Sequence, residues 1–146
     1  MTSRHLPFFV YGTLLPGERN HRLLRDRVDS WTPAVLPGAL LFHGLGPPYP
    51  YPYAVPDPAG TGTVRGAVAA VPGGEGYGEV LAELDQLEDY RPGNAHNHYE
   101  RAVVRVRTAV GTLDAWTYLA AERIARELLL SGIPVRDGDW RRRAGE

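Results

Sequence analysis

The sequence predicts an α+β protein in which a twisted or barrel-like β-sheet is flanked by a few helices. Segments with a strand-like pattern outnumber those with a helix-like pattern. Turn residues separate consecutive strand-like segments, and strands do not alternate strictly with helices, which argues against a doubly wound sheet. The chain has 146 residues, which suits a single domain over 1–146 that ends in a short flexible tail.

The first half of the chain contains mainly strand-like segments. Apolar and aromatic residues at 6–11 predict a buried strand that ends at Gly12. Asn20 is a plausible N-cap for a short helix, because apolar residues recur after it at helical spacing. Further strand pieces are expected at 35–36, 39–43 and 64–71. The proline-rich stretch 47–58 predicts a loop without regular structure.

The second half of the chain alternates between helical and extended patterns. Val80, Leu84 and Leu87 recur at four and three residues and predict a helix over 78–88. Apolar and polar residues alternate over 99–108, and a second strand is expected at 112–119 after the Gly111 turn. An apolar stripe over 121–129 predicts a C-terminal helix, which Gly132 closes.

Composition and charge exclude several classes of function. Sixteen basic and seventeen acidic residues give a net charge of -1, so neither nucleic acid nor a membrane is an expected partner. Cysteine is absent, which excludes disulfides, thiolate nucleophiles and cysteine metal sites. The apolar run before Gly12 is too short for a signal or membrane segment, and a cytoplasmic location is expected. The run Arg141-Arg142-Arg143 predicts a solvated tail.

The segment Tyr11-Gly12-Thr13-Leu14 is a first candidate for a binding site. A strand that ends in a sharp glycine turn presents several backbone N–H groups together, and such a turn can cradle an anion. The alternative is that Gly12 and Gly17 only turn the chain.

Glu88 is a second candidate, because it shares an apolar helix stripe with Leu81 and Leu84. A carboxylate among apolar neighbours near a helix C-terminus has a raised proton affinity, as acid/base catalysis requires. The alternative is that Glu88 lies in the last helical turn and faces water.

Taken in order, the early Tyr-Gly-Thr-Leu turn, the later Leu84-Asp85-x-x-Glu88 and Tyr99-x-Arg101 resemble the γ-glutamylcyclotransferase-like superfamily, which includes the AIG2-like proteins. The closing Gly138-Asp139-Trp140 resembles it too, so the likeness spans most of the chain. The resemblance implies a compact mixed β-barrel with flanking helices. It also implies cofactor-free cleavage of a small-molecule γ-glutamyl amide, which releases 5-oxoproline and a free amine or amino acid.

The resemblance assigns roles to individual residues. It implies that backbone amides of the Tyr11-Gly12-Thr13-Leu14 loop bind the substrate α-carboxylate and that Glu88 is the catalytic acid/base. Tyr99 and Tyr118 are supporting candidates for substrate binding, with a packed aromatic as the alternative for each. Arg101 could steady Glu88 or pair with the substrate carboxylate, although a strand arginine is more often surface-paired. No metal site is predicted.

The leaving-group side and the activity itself remain open at this stage. The tyrosines of 47–58 and the loop 94–98 are expected to shape the leaving-group side. His96 and His98 invite a metal interpretation, but no helical cluster of ligands accompanies them. The alternatives are a non-catalytic binding module on the same fold and removal of a γ-glutamyl group from a biosynthetic intermediate. The sequence gives no signal for an oligomeric state.

Overall fold

A computed structural model describes residues 5–44 and 51–143. Within these residues the strands are β1 (Phe8–Val10), β2 (Ser30–Pro37), β3 (Ala39–His43), β4 (Pro52–Pro56), β5 (Thr63–Ala70), β6 (Tyr99–Thr108) and β7 (Gly111–Ala120). The α-helices are α1 (Glu75–Leu87) and α2 (Glu122–Ser131), and single 3-10 turns lie at His21–Leu23, Arg136–Gly138 and Trp140–Arg142. In this part of the chain neither α-helix has the length and apolar character needed to cross a membrane.

Five strands close into a barrel in the order β1-β5-β2-β6-β7. Neighbouring strands are antiparallel except at the closure, where Phe8 of β1 pairs in parallel with Trp116 of β7. The longest hairpin, β6 and β7, is paired along its whole length. Strands β3 and β4 form a separate two-stranded sheet. The α+β prediction of a mixed barrel with flanking helices is therefore confirmed.

The short strand β1 is buried on both faces because it separates two hydrophobic cores. Side chains alternate across a strand, so Phe9 and Tyr11 point the same way and pack with the core formed by β2, β5 and β6. Phe8 and Val10 point the other way and belong to the core that includes both α-helices. This double burial explains the continuous apolar run in the sequence.

Helix α1 places Glu88 at its C-terminal end. Val80 and Leu84 are buried against the β1 side of the barrel, which fixes the rotation of the helix. Glu88 is the C-cap residue, and its N–H still donates to the Leu84 carbonyl. The next residue, Asp89, has a left-handed conformation with φ 53°, which ends the helix as a C-terminal cap does.

One prediction about local structure is wrong, and another is confirmed only in part. The stretch 47–58 was expected to be irregular, but Pro52–Pro56 forms β4 and pairs with β3. Proline fits here because β4 has a free edge and prolines occupy both of its ends; residues 45–50 lie outside the described part. Asn20 does occupy the N-cap position of the 3-10 turn His21–Leu23, but its side chain makes no capping hydrogen bond, and its amide donates to the Thr13 hydroxyl.

The C-terminal segment packs onto the barrel. Trp140 is 2% exposed and joins the core that contains Phe9 and Tyr11. The three arginines at 141–143 are exposed to solvent, and each of them also has a partner within the described residues. Arg141 donates to the Pro16 carbonyl, Arg142 pairs with Asp137, and Arg143 pairs with Glu18. Residues 144–146 lie outside the described part of the chain.

Replacing Trp140 with alanine should lower the free energy of unfolding by about 3–5 kcal/mol, because a large buried aromatic leaves a cavity. Urea denaturation at constant pH measures this loss. Leu130→Ala is the matched control, since Leu130 is 88% exposed and its truncation should change stability by less than about 0.5 kcal/mol. Equal effects of the two variants would contradict this account of the C-terminal segment.

Candidate active site

Two adjoining cavities lie where the end of β1, the end of α1 and strand β4 meet. The inner cavity has a volume of about 40 Å³ and the outer basin one of about 420 Å³. Four residues line both: Thr13, Tyr51, Glu88 and Tyr99. The inner cavity is also bordered by residues 8–12 and by Leu14, Pro52, Leu84, Trp116, Thr117 and Tyr118. The structure therefore brings all the sequence-predicted site residues to one place.

The Glu88 side chain lies at the junction between the two cavities. The residue is half-buried, and burial raises the pKa of its carboxyl from 4.5 to about 7. Within residues 5–44 and 51–143, no side chain or backbone group donates a hydrogen bond to this carboxyl. Loss of water, rather than a charged neighbour, is the cause of the shift. Glu88 can thus exist in either protonation state near neutral pH.

The loop after β1 forms one wall of the inner cavity. Gly12 does not adopt a positive φ, so the backbone conformation of this turn does not itself require a glycine. Its role is close packing instead, because a Cβ at this position would lie 2.5 Å from Cγ of Pro52. The carbonyls of Gly12 and Thr13 accept hydrogen bonds from the N–H groups of Leu15 and Asn20, which hold the turn.

The backbone N–H groups of Gly12, Thr13 and Leu14 donate to no atom of the described residues. Buried or partly buried N–H groups normally find an acceptor, so three successive unused donors beside a cavity are notable. All three residues line the inner cavity. The arrangement can bind a carboxylate, since consecutive amides form an anion-binding concavity.

The three tyrosines predicted for the site use their hydroxyl groups within the protein. Tyr11 donates to the Tyr118 carbonyl, Tyr99 donates to the Pro52 carbonyl at 2.7 Å, and Tyr118 donates to the Asp85 carboxylate. Burial raises the pKa of all three hydroxyls above the ordinary range. At neutral pH the tyrosines therefore present neutral rings to the inner cavity.

Arg101 contacts Asp85 rather than Glu88. Its Nη1 lies 2.6 Å from Oδ2 of Asp85, and its guanidinium stacks on the rings of Tyr90 and Trp116 at 5.3 and 5.0 Å. Within the described residues Arg101 therefore makes no direct hydrogen bond or ion pair with Glu88, and its ion-pair partner is Asp85. Sequence reasoning also missed Asp85, although it stands one helical turn before Glu88 in the same motif.

The outer basin is lined by aromatic and polar side chains. The rings of Tyr53 and Tyr99 stack with their centroids 4.6 Å apart, and the Tyr53 hydroxyl lies 3.2 Å from Nδ1 of His98. The remaining lining residues are Thr13, Tyr51, Leu87, Glu88, Asp89 and His96. In the part of the chain that the structure describes, no cluster of three or more potential metal ligands occurs.

A sequence model of the family described as "Gamma-glutamyl cyclotransferase, AIG2-like" matches residues 8–142. The chain belongs to the γ-glutamyl cyclotransferase, AIG2-like family. The match includes the loop after β1, the end of α1 and the β6–β7 hairpin, which are the elements that build the two cavities. The resemblance inferred from the motifs is thereby confirmed.

Known proteins are similar to this chain in sequence or in fold. The γ-L-glutamyl-butirosin B γ-glutamyl cyclotransferase of Niallia circulans is 31% identical over 112 residues, which cover 76% of this chain and 64% of that protein. YkqA of Bacillus subtilis is 26% identical and superposes with a TM-score of 0.65. The matched region covers 94% of this chain but only 40% of the YkqA chain. An AIG2-like protein of Mus musculus shares the fold, with 20% identity, a TM-score of 0.60 and coverage of 84% and 83%.

Because Glu88 titrates differently in the folded and unfolded chain, the free energy of unfolding should depend on pH. Its pKa is raised on folding, so the folded chain binds an additional proton between about pH 4.5 and 7, and stability falls as pH rises through this window. A pKa difference from 4.5 to about 7 corresponds to about 3 kcal/mol. Glu88→Gln should therefore be more stable than the unsubstituted protein at pH 8.5, and by a smaller margin at pH 5.

Denaturant titrations at the two pH values measure this difference. Glu79→Gln is the control, because Glu79 is exposed on the same helix and should show no pH-dependent gain. A Glu88→Gln protein that gains the same stability at both pH values would contradict the buried position of this carboxyl.

Proposed function

We propose that this protein is a γ-glutamyl cyclotransferase, which cleaves a γ-glutamyl amide into 5-oxoproline and a free amine. The observation that carries the proposal is the position of Glu88. Its carboxyl is withdrawn from water, has a pKa of about 7, and lies at the junction of a narrow cavity and a wider basin. An acid/base that transfers a proton between the γ-glutamyl group and the leaving group must lie between the two, as Glu88 does, and must titrate near neutral pH.

The inner cavity accounts for recognition of the γ-glutamyl group. The α-carboxylate would bind the unused amides of Gly12, Thr13 and Leu14, which donate to no described atom. Burial beside neutral aromatic rings strengthens such hydrogen bonds because water competes less. This anchor places the substrate α-amine and γ-carbonyl beside Glu88 in a fixed orientation, which favours ring closure.

The chemistry then needs one acid/base. Ionised Glu88 accepts a proton from the α-amine as its nitrogen attacks the γ-carbonyl carbon and the new C–N bond forms. The same carboxyl donates this proton to the departing nitrogen as the amide C–N bond breaks. The α-amine of the substrate enters as an ammonium group and loses two protons on ring closure. One of them passes through Glu88 to the departing nitrogen, and the other is taken up by the product amine, which leaves as ammonium. The reaction balances without a water molecule, a metal or a redox cofactor.

The tyrosines would shape the inner cavity rather than donate protons. Tyr99 and Tyr118 already donate their hydroxyls to the Pro52 carbonyl and to Asp85. Their rings, with that of Tyr11, would exclude water and hold the aliphatic part of the γ-glutamyl group. Excluding water preserves the raised pKa of Glu88 and protects the bound amide from hydrolysis.

The outer basin would accept the leaving group. Its lining of Tyr51, the stacked pair Tyr53 and Tyr99, and the Asp89 carboxylate suits a cationic or sugar-like amine, which binds aromatic faces and carboxylates. The Niallia circulans relative is named for an amide of this kind, γ-L-glutamyl-butirosin B. We infer a γ-glutamyl amine, rather than a peptide, as the preferred substrate class.

The activity is tested by incubating the purified protein with γ-glutamyl dipeptides, glutathione, γ-glutamyl-ε-lysine and γ-glutamyl amines. Mass spectrometry should detect 5-oxoproline, with the highest kcat/KM for an amine leaving group. Glu88→Gln should lower kcat by about 100-fold or more, because it removes general acid/base catalysis. Glu79→Gln, exposed on the same helix, should retain activity. Failure of every compound to yield 5-oxoproline, while γ-glutamyl ligands still bind, would favour the binding-module alternative.

A second variant tests the anion-binding loop. In Gly12→Ala the new Cβ would collide with Pro52, so the loop must shift and its amides must move from the substrate carboxylate. We expect a loss of about 100-fold in kcat/KM, as misplacement near 1 Å produces. Gly76→Ala is the control, because a Cβ there meets no atom within 4 Å. A Gly12→Ala enzyme with unchanged kcat/KM would remove this loop from the proposed site.

A further inference from the structure

Asp85 places a second carboxylate close to Glu88. The two residues are three positions apart at the end of α1, and side chains at this spacing are neighbours on the helix surface, with Cβ atoms about 5–6 Å apart. A like charge at this distance disfavours ionisation of a carboxyl group. Without compensation, Asp85 would hold Glu88 in its protonated state well above neutral pH.

Two contacts compensate the charge of Asp85. One carboxylate oxygen lies 2.6 Å from Nη1 of Arg101, and the other accepts the hydroxyl of Tyr118 at 2.5 Å. The two charged side chains are only 18% and 22% exposed, so solvent screens their attraction weakly. The Arg101 guanidinium is fixed between the rings of Tyr90 and Trp116.

The main interaction of Arg101 is its ion pair with Asp85, and in the part of the chain that the structure describes its guanidinium does not form an extended hydrogen-bond network. Its buried Nε has no hydrogen-bond partner among the described residues, and its ion-pair partner there is Asp85. Tyr118 connects this pair to Glu88 electrostatically. The pKa of its hydroxyl is raised by burial first, then by Asp85 and Glu88, and is lowered by Arg101. Asp85, Glu88 and Arg101 therefore all act electrostatically on the Tyr118 hydroxyl, which lies in the wall of the inner cavity.

We propose that the Asp85–Arg101 ion pair, anchored by the Tyr118 hydroxyl, is a positioning pair that keeps the negative charge of Asp85 from acting on Glu88. Burial alone then determines the proton affinity of Glu88. The other titratable groups that face Glu88 come from the end of β1, from β4 and the residue before it, from β6, from the turn after α1 and from the loop before β6. They are Tyr11, Tyr51, Tyr53, Tyr99, Asp89, His96 and His98. None of these contacts the Asp85–Arg101 pair through a described hydrogen bond or ion pair.

The catalytic consequence of the pair rests on the proposed function, but its electrostatic effect does not. The effect is measured directly by ¹³C NMR titration of the Glu88 side-chain carboxyl, assigned by its loss in Glu88→Gln. Arg101→Met should raise the pKa of Glu88 by about one unit, because Asp85 is left uncompensated. Asp85→Asn should lower it, because Arg101 is left uncompensated.

The double variant Asp85→Asn/Arg101→Met distinguishes charge from structure. It removes both charges, so the Glu88 titration should return to within a few tenths of a unit of the original midpoint, whereas two structural defects would add. Arg105→Met is the matched control, since it breaks an exposed strand ion pair with Asp114 and should not move the midpoint. If Arg101→Met fails to fold, the downward shift in Asp85→Asn and the return in the double variant carry the test.

Several outcomes would overturn the proposal: no shift in Asp85→Asn, shifts of the same sign in both single variants, or no return in the double variant. The midpoint of the pH dependence of kcat/KM should move with the NMR midpoint in each active variant. NMR shifts of the expected signs in a protein that forms no 5-oxoproline would support the charge pair and count against the proposed function alone.

Discussion

Withdrawal of the Glu88 carboxyl from water is the constraint on which the rest of the site depends. It requires α1 to lie against β1, which Val80 and Leu84 achieve by packing into the core beside Phe8. It also requires the helix to end at this residue, and the left-handed backbone of Asp89 ends it. A carboxyl held in this way is costly to ionise, and under the proposed function the fold keeps that cost at the place where a proton is exchanged.

Strand β4 connects the two cavities that Glu88 separates. Pro52, its first residue, packs against Gly12 of the loop and accepts the Tyr99 hydroxyl with its carbonyl. Tyr53, the next residue, stacks on Tyr99 and contacts His98 across the outer basin. The inner wall and the outer wall therefore belong to one packed unit. Movement of β4 would change the loop geometry and the outer basin together.

The parts of the fold that short-range patterns control were predictable, and the parts that distant contacts control were not. Strand β6 matches its predicted bounds because alternation over ten residues needs no partner to be recognised. Strand β4 was missed because its prolines are unfavourable locally and its pairing with β3 compensates for them. The position of Glu88 was predictable from its helix stripe. The contact of Arg101 with Asp85 was not, since it joins residues sixteen positions apart on different elements.

The outer basin divides into positions with different freedom to change. Tyr53 and His98 are joined to each other, and Tyr53 also stacks on Tyr99, so a substitution there would disturb the wall shared with the inner cavity. His96 differs, because its described contacts are made by its backbone, which accepts from Arg123 and donates to Asn94. The His96 side chain lines the basin but makes no described hydrogen bond, so replacing it should not alter the burial of Glu88. Under the proposed function, a substitution at His96 would therefore change the leaving-group preference while the geometry around Glu88 stays the same.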